Sequence, residues 1–92
     1  MLRMILNNEP AVPLTLLQPG ESGRISGFEA EASEDPFFLR LLEVGFLPGE
    51  RVEVLNVSPF GSDPISVQVM EAVYAIRKRE AARILVVRES KA

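Results

Sequence analysis

The side chains that usually carry reactivity are scarce in this chain. Its 92 residues include no histidine and no cysteine. The first absence removes the commonest general base and the commonest transition-metal ligand. The second removes a thiolate nucleophile, a thiolate metal site and any disulfide. Thr15, Ser22, Ser26 and Ser58 therefore have no imidazole to activate them, and Lys78 and Lys91 lack the spacing of a Ser–Lys pair. Neither G-x-x-x-x-G-K-[ST] nor G-x-G-x-x-G occurs, so no phosphate-cradling turn is expected. The expectation is a binding domain, not an enzyme, working without a cofactor.

Three groups of residues could still bind something. The acidic run Glu29, Glu31, Glu34 and Asp35 offers carboxylates to a hard cation. Iron sites usually mix imidazole with carboxylate, so these acids read as a solubilising loop that serves a helix N-terminus, and no metal site is assigned. Arg77, Lys78 and Arg79, with Arg83, form a basic cluster beside Glu80. With a net charge of −3, that cluster reads as a solvated strand end or as part of a contact with an acidic protein surface, and no nucleic-acid partner is expected. The third group is apolar. Between Phe37 and Leu47 only Arg40, Glu43 and Gly45 are not hydrophobic, more than one face of a short helix can use. A small interior cannot hold Phe37, Phe38, Leu39, Leu42 and Phe46 together. Either Leu2, Met4, Ile5 and Leu6 of the N-terminus cover the surplus, or it docks on another protein or a second copy. The expected partner surface is Phe37, Phe38, Arg40, Leu42 and Phe46, joined by a loop around Phe60.

The elements that position these residues follow from the pattern of turns and alternation. The length suits one domain, and 47% hydrophobic residues argue for a folded chain. Residues 1–12 read as an extension ahead of a domain over 13–92. Leu14 to Leu17 forms a turn of helix, and Pro19-Gly20 and Pro48-Gly49 each read as a type II turn. Gly23 to Glu29 is a strand in which Gly27 marks a bulge or a close backbone approach. Asp35-Pro36 starts a helix with an acidic cap and a proline at its first position. Gly45 stops it, so Phe46 should fold back onto Leu41. Residues 51–57, 65–69 and 73–77 alternate as strands, the last two joined by a turn at Glu71-Ala72. Residues 79–83 suit a helical turn, and Ile84 to Val87 a buried closing strand. Tyr74 is expected on a central strand. Five short strands with one or two short helices describe a mainly β, partly open barrel. No stretch approaches the roughly 20 apolar residues of a membrane span, and Met1 to Leu6 is too short for a signal peptide core. A soluble, cytoplasmic protein is expected.

Three blocks in order carry a resemblance: Leu14-Thr15-Leu16-Leu17-Gln18-Pro19-Gly20; Leu39-Arg40-Leu41-Leu42-Glu43-Val44-Gly45-Phe46-Leu47-Pro48-Gly49; and Asp63 to Val67 through Ala75 to Ala81. Together they resemble the ferrous iron transport protein A family, over roughly residues 13–88. The resemblance implies an SH3-like barrel with a helix after its first strand. It also implies a small cytoplasmic accessory of a membrane ferrous iron transporter that carries a GTPase domain, reaching the membrane only through that partner. Similar domains form the C-terminal part of metal-dependent regulators, so a metal-responsive or metal-binding role (ferrous or manganous) is the alternative. Two departures stand out. The acidic insertion at residues 29–34 is long, and Met70-Glu71-Ala72 stands where glycine is common. Proline-rich peptide binding, the other use of such a barrel, needs an aromatic groove that a chain without tryptophan does not suggest.

Overall fold

In the computed structural model, alternation of apolar and polar residues becomes one antiparallel sheet. Residues 10–29, 35–57 and 63–89 are described; the residues expected as an N-terminal cover, Phe60, and Glu31 and Glu34 lie outside them. In chain order the elements are β1 (Val12–Pro13), a 3-10 turn (Leu14–Leu16), β2 (Ser22–Phe28), α1 (Pro36–Val44), β3 (Arg51–Val57), β4 (Ile65–Val69), β5 (Ala72–Ile76), α2 (Lys78–Ala81) and β6 (Ile84–Arg88). Among the described residues the strand order is β1-β6-β2-β3-β4-β5, so the sheet keeps two edges and is not closed. The expected five strands gain a sixth, the two-residue β1, which pairs Val12 with Val86 and Pro13 with Leu85.

Strand alternation fills the interior. Val52 and Val54 of β3, Ile65, Val67 and Val69 of β4, and Ile84 and Val86 of β6 are buried, while their sequence neighbours face outward or lie at intermediate depth. Leu85 and Val87 are only partly covered, so β6 alternates where full burial on both faces was expected. The bulge anticipated at Gly27 is present as a register shift between Ile25 and Gly27. Both Pro-Gly turns close as expected: Glu21 N–H donates to Gln18 O at 2.9 Å and Glu50 N–H to Leu47 O at 3.0 Å, with positive φ at Gly20 and Gly49.

Two expectations shift. The β4–β5 turn is Met70-Glu71, one residue earlier than the sequence indicated, because Val69 pairs with Ala72. Met70 takes the positive φ, 58°, that such a turn demands, a conformation a methionine does not advertise. Tyr74 lies on β5, an edge of the sheet, where a central strand was expected.

Candidate functional site

Helix α1 is built by local rules at both ends. The Asp35 carboxylate accepts from Phe37 N–H at 2.9 Å and Pro36 occupies the first turn, which satisfies a helix donor and fixes φ where the helix begins. At the other end Gly45 adopts φ 118°. That reversal lets Phe46 N–H donate to Leu41 O at 2.9 Å, the reach-back of a glycine-terminated helix. Both Leu41 and Phe46 are buried in the core. Phe46 packs edge-on against Tyr74, ring centroids 5.3 Å apart, and the Tyr74 hydroxyl donates to Val44 O at 3.2 Å. The end of the helix is thus tied to edge strand β5.

This geometry sorts the hydrophobic residues of the segment. Phe38 is 1% exposed and Phe46 is 0% exposed. Both were expected to meet a partner, and both are instead core residues: the helix turns Phe38 toward Phe28, ring centroids 5.0 Å apart, and the glycine stop drives Phe46 under the sheet. Phe37 and Leu42 are half-buried, Phe37 lying edge-on to Phe38 at 5.1 Å. Arg40 is exposed as expected. The apolar residues left exposed on this side are Leu39 at 50%, counted in the surplus but not in the expected partner surface, and Val44, Leu47 and Met70, which the sequence reading did not select. Met70 extends the helix surface onto the β4–β5 hairpin, because its sulfur lies 2.9 Å from where a Cβ on Gly45 would stand. The spacing of Leu39 and Val44 could have been read on a helical wheel, but the side facing the sheet and the approach of Met70 could not.

Some of the charged groups pair with one another. Arg83, expected in the basic cluster, turns away from it: Nε donates to Glu29 Oε1 at 3.1 Å, Nη1 approaches Asp35 Oδ2 at 4.0 Å, and the guanidinium lies 5.4 Å from the Phe38 ring centroid. One side chain therefore joins the start of β6 to the start of α1. Glu29 and Asp35, the two described acids of the cation hypothesis, are engaged by this arginine. Among the described residues no three carboxylates, histidines or cysteines gather to hold a metal.

A second charge cluster was not anticipated. Glu89 Oε1 accepts from Ser22 Oγ at 2.9 Å and from Arg51 Nε at 3.2 Å, while Oε2 accepts from Arg24 Nε at 2.9 Å. Arg24 and Arg51 are directly opposed in the β2–β3 register, a like-charge pair that Glu89 neutralises. The Ser22 hydrogen bond and the two arginine charges hold the Glu89 carboxyl below the usual carboxylate range, against opposing desolvation. Glu89 lies 65 residues from Arg24, so only strand pairing could reveal the cluster. Beside it is an open groove of about 340 Å³ lined by Arg24, Glu50, Arg51, Glu53, Gln68 and Met70.

Comparison with known proteins agrees with this architecture. A family model described as the FeoA domain matches residues 12–88. FeoA from Stenotrophomonas maltophilia, solved with zinc, superposes with a TM-score of 0.73 at 32% identity, covering 86% of this chain and 96% of that one; it is described as a prokaryotic SH3 domain protein and a candidate activating factor for ferrous iron transport. An iron uptake regulatory protein of the FeoA type gives a TM-score of 0.68 at 29% identity, over 87% and 99% of the two chains. A manganese-dependent transcriptional repressor gives 0.72 at 26% identity, with 89% of this chain matching 44% of that protein. The fold is therefore that of a small SH3-like barrel.

Proposed function

Because the chain belongs to the FeoA family, its domain matching over residues 12–88, we propose that it is a non-enzymatic accessory of ferrous iron uptake that docks on a membrane ferrous iron transporter carrying a GTPase domain. The docking face is the outer side of α1 with the adjoining hairpin turn: Leu39, Arg40, Val44, Leu47 and Met70. The carrying observation is the solvent exposure of these apolar side chains on a segment whose other large residues, Phe38, Leu41 and Phe46, already fill the interior. Arg40 and Glu43 are exposed on the same side of the helix, so the face mixes apolar and charged contacts, as protein-binding surfaces commonly do. Among the described residues no helix is long and apolar enough to cross a membrane; in this proposal the chain reaches the bilayer through its partner, on the cytoplasmic side.

Capture of the intact transporter by the full chain tests this reading. Wild type retains it and Leu39→Asp, folded by circular dichroism, does not. Equal capture by both removes the helix from the interface. The metal-responsive alternative draws on neighbours such as the manganese-dependent repressor, but Arg83 occupies both described acids that it would use.

A further inference from the structure

Edge strand β5 presents a row of backbone groups that the sheet does not use. In a hairpin closed by two residues, the flanking pair is hydrogen-bonded and bonding alternates from there. With Val69 paired to Ala72, Val67 to Tyr74 and Ile65 to Ile76, the amides and carbonyls of Ala72, Tyr74 and Ile76 face β4. Those of Val73 and Ala75 point away from the sheet. Edge strands are ordinarily guarded by lysine, proline, a bulge or an inward charge. Ala72-Val73-Tyr74-Ala75-Ile76 contains none of these, and its register against β4 is unbroken. Val73 is 60% exposed and Ala75 is exposed as well.

The charges that bracket the strand indicate what fits there. Glu71 precedes it and Arg77 follows it, both exposed; among the described residues neither takes part in an ion pair. They stand equally far from Tyr74. We propose that β5 pairs antiparallel with β5 of a second copy of this chain, about a two-fold axis at Tyr74. In that register Val73 and Ala75 exchange backbone hydrogen bonds with the partner's Ala75 and the partner's Val73. Glu71 lies opposite the partner's Arg77 at both ends of the strand. Registers centred on Val73 or Ala75 break this match, placing Arg77 opposite Val69 or Val73. A two-fold interface needs a self-complementary patch, and a strand with an acid at one end and a base at the other is one. Five paired residues bury less than the roughly 800 Å² per partner of a standard interface, so the dimer is weak, dissociating in about the 0.1 mM range.

Sedimentation of the full chain from about 10 μM to 1 mM tests the pairing. Wild type is expected to shift toward twice its 10.2 kDa mass as concentration rises. Glu71→Arg and Arg77→Glu are each expected to weaken association about tenfold or more, since symmetry places like charges at both ends. The double variant Glu71→Arg/Arg77→Glu restores it. Ala75→Pro removes an outward amide, a change an edge strand tolerates, and is expected to abolish the dimer while leaving the monomer folded. A chain that stays monomeric at 1 mM overturns the proposal, as does a dimer indifferent to both single charge reversals. Protection of the Val73 and Ala75 amides from hydrogen exchange in a monomer also overturns it, because another segment of the same chain would then hold the edge.

Discussion

Phe38 and Leu39 are adjacent in sequence and opposite in fate, and truncating each tests the orientation of α1. Phe38 is 1% exposed, lies 5.0 Å from the Phe28 ring and 5.1 Å from the Phe37 ring, and sits under the Arg83 guanidinium. Replacing a buried phenylalanine by alanine costs about 3–5 kcal/mol in lost transfer energy and cavity formation. The ring pairs and the cation contact place Phe38→Ala toward the upper end of that range. Stabilities of about 0.05–0.15 kcal/mol per residue give a domain of this size roughly 5–14 kcal/mol in all, so the variant approaches the limit of folding. Leu39 is half exposed and loses about 1 kcal/mol of burial on conversion to aspartate. Asp is a poorer helix former than Leu by a few tenths of a kcal/mol, whereas its charge near the helix start returns about 0.3–1 kcal/mol. Leu39→Asp is therefore expected to cost no more than about 1 kcal/mol. Urea denaturation followed by far-ultraviolet circular dichroism measures both, with equal m-values as the check on two-state behaviour. Equal destabilisation by the two variants, or a Phe38→Ala cost below about 1 kcal/mol, would refute the orientation of the helix.

Gly45→Ala is expected to cost about 2–3 kcal/mol, because φ 118° suits no L-residue and the added methyl meets the Met70 sulfur. Gly49→Ala, at φ 93° with open space around it, carries backbone strain alone and should cost about 1–2 kcal/mol; chemical denaturation of the two ranks them. Met70→Gly relieves a positive φ at a non-glycine residue and should stabilise the fold by about 0.5–1 kcal/mol, the difference between that relief and the entropy of glycine, visible as a raised melting temperature. Glu89 has its pKa lowered in the folded state, so its contribution is present above the ordinary carboxylate pKa of 4.5 and fades as pH falls through the lower folded value. Denaturation of wild type and Glu89→Gln across that interval should show the gap between them narrowing with acidification; a gap that widens contradicts the cluster.

The parts of the molecule legible in the sequence are those fixed by neighbours in the chain. Asp35-Pro36 and Gly45-Phe46 specify a start and a stop whose hydrogen bonds close within a few residues, and both Pro-Gly turns likewise specify themselves. The β4–β5 turn slipped by a residue because the positive φ fell on Met70, whose type carries no preference for it. The binding surface was legible as a surplus of hydrophobic residues but not as a face. Burial of Phe38 and Phe46 depends on how α1 lies against the sheet and on Phe28 and Tyr74, residues 10 and 28 positions away. The Arg83 and Glu89 clusters joined groups up to 67 residues apart, which no local pattern encodes.

The docking face is tested most directly by the affinity of the full chain for the intact transporter, measured by titration with Leu39→Asp and Leu16→Asp as the paired variants. Leu16, 52% exposed on the 3-10 turn, matches Leu39 in chemistry and exposure but lies outside the proposed face. A loss of tenfold or more, about 1.4 kcal/mol, for Leu39→Asp with Leu16→Asp at wild-type affinity is the predicted result. Wild-type affinity for Leu39→Asp, or an equal loss for both, contradicts docking through the helix.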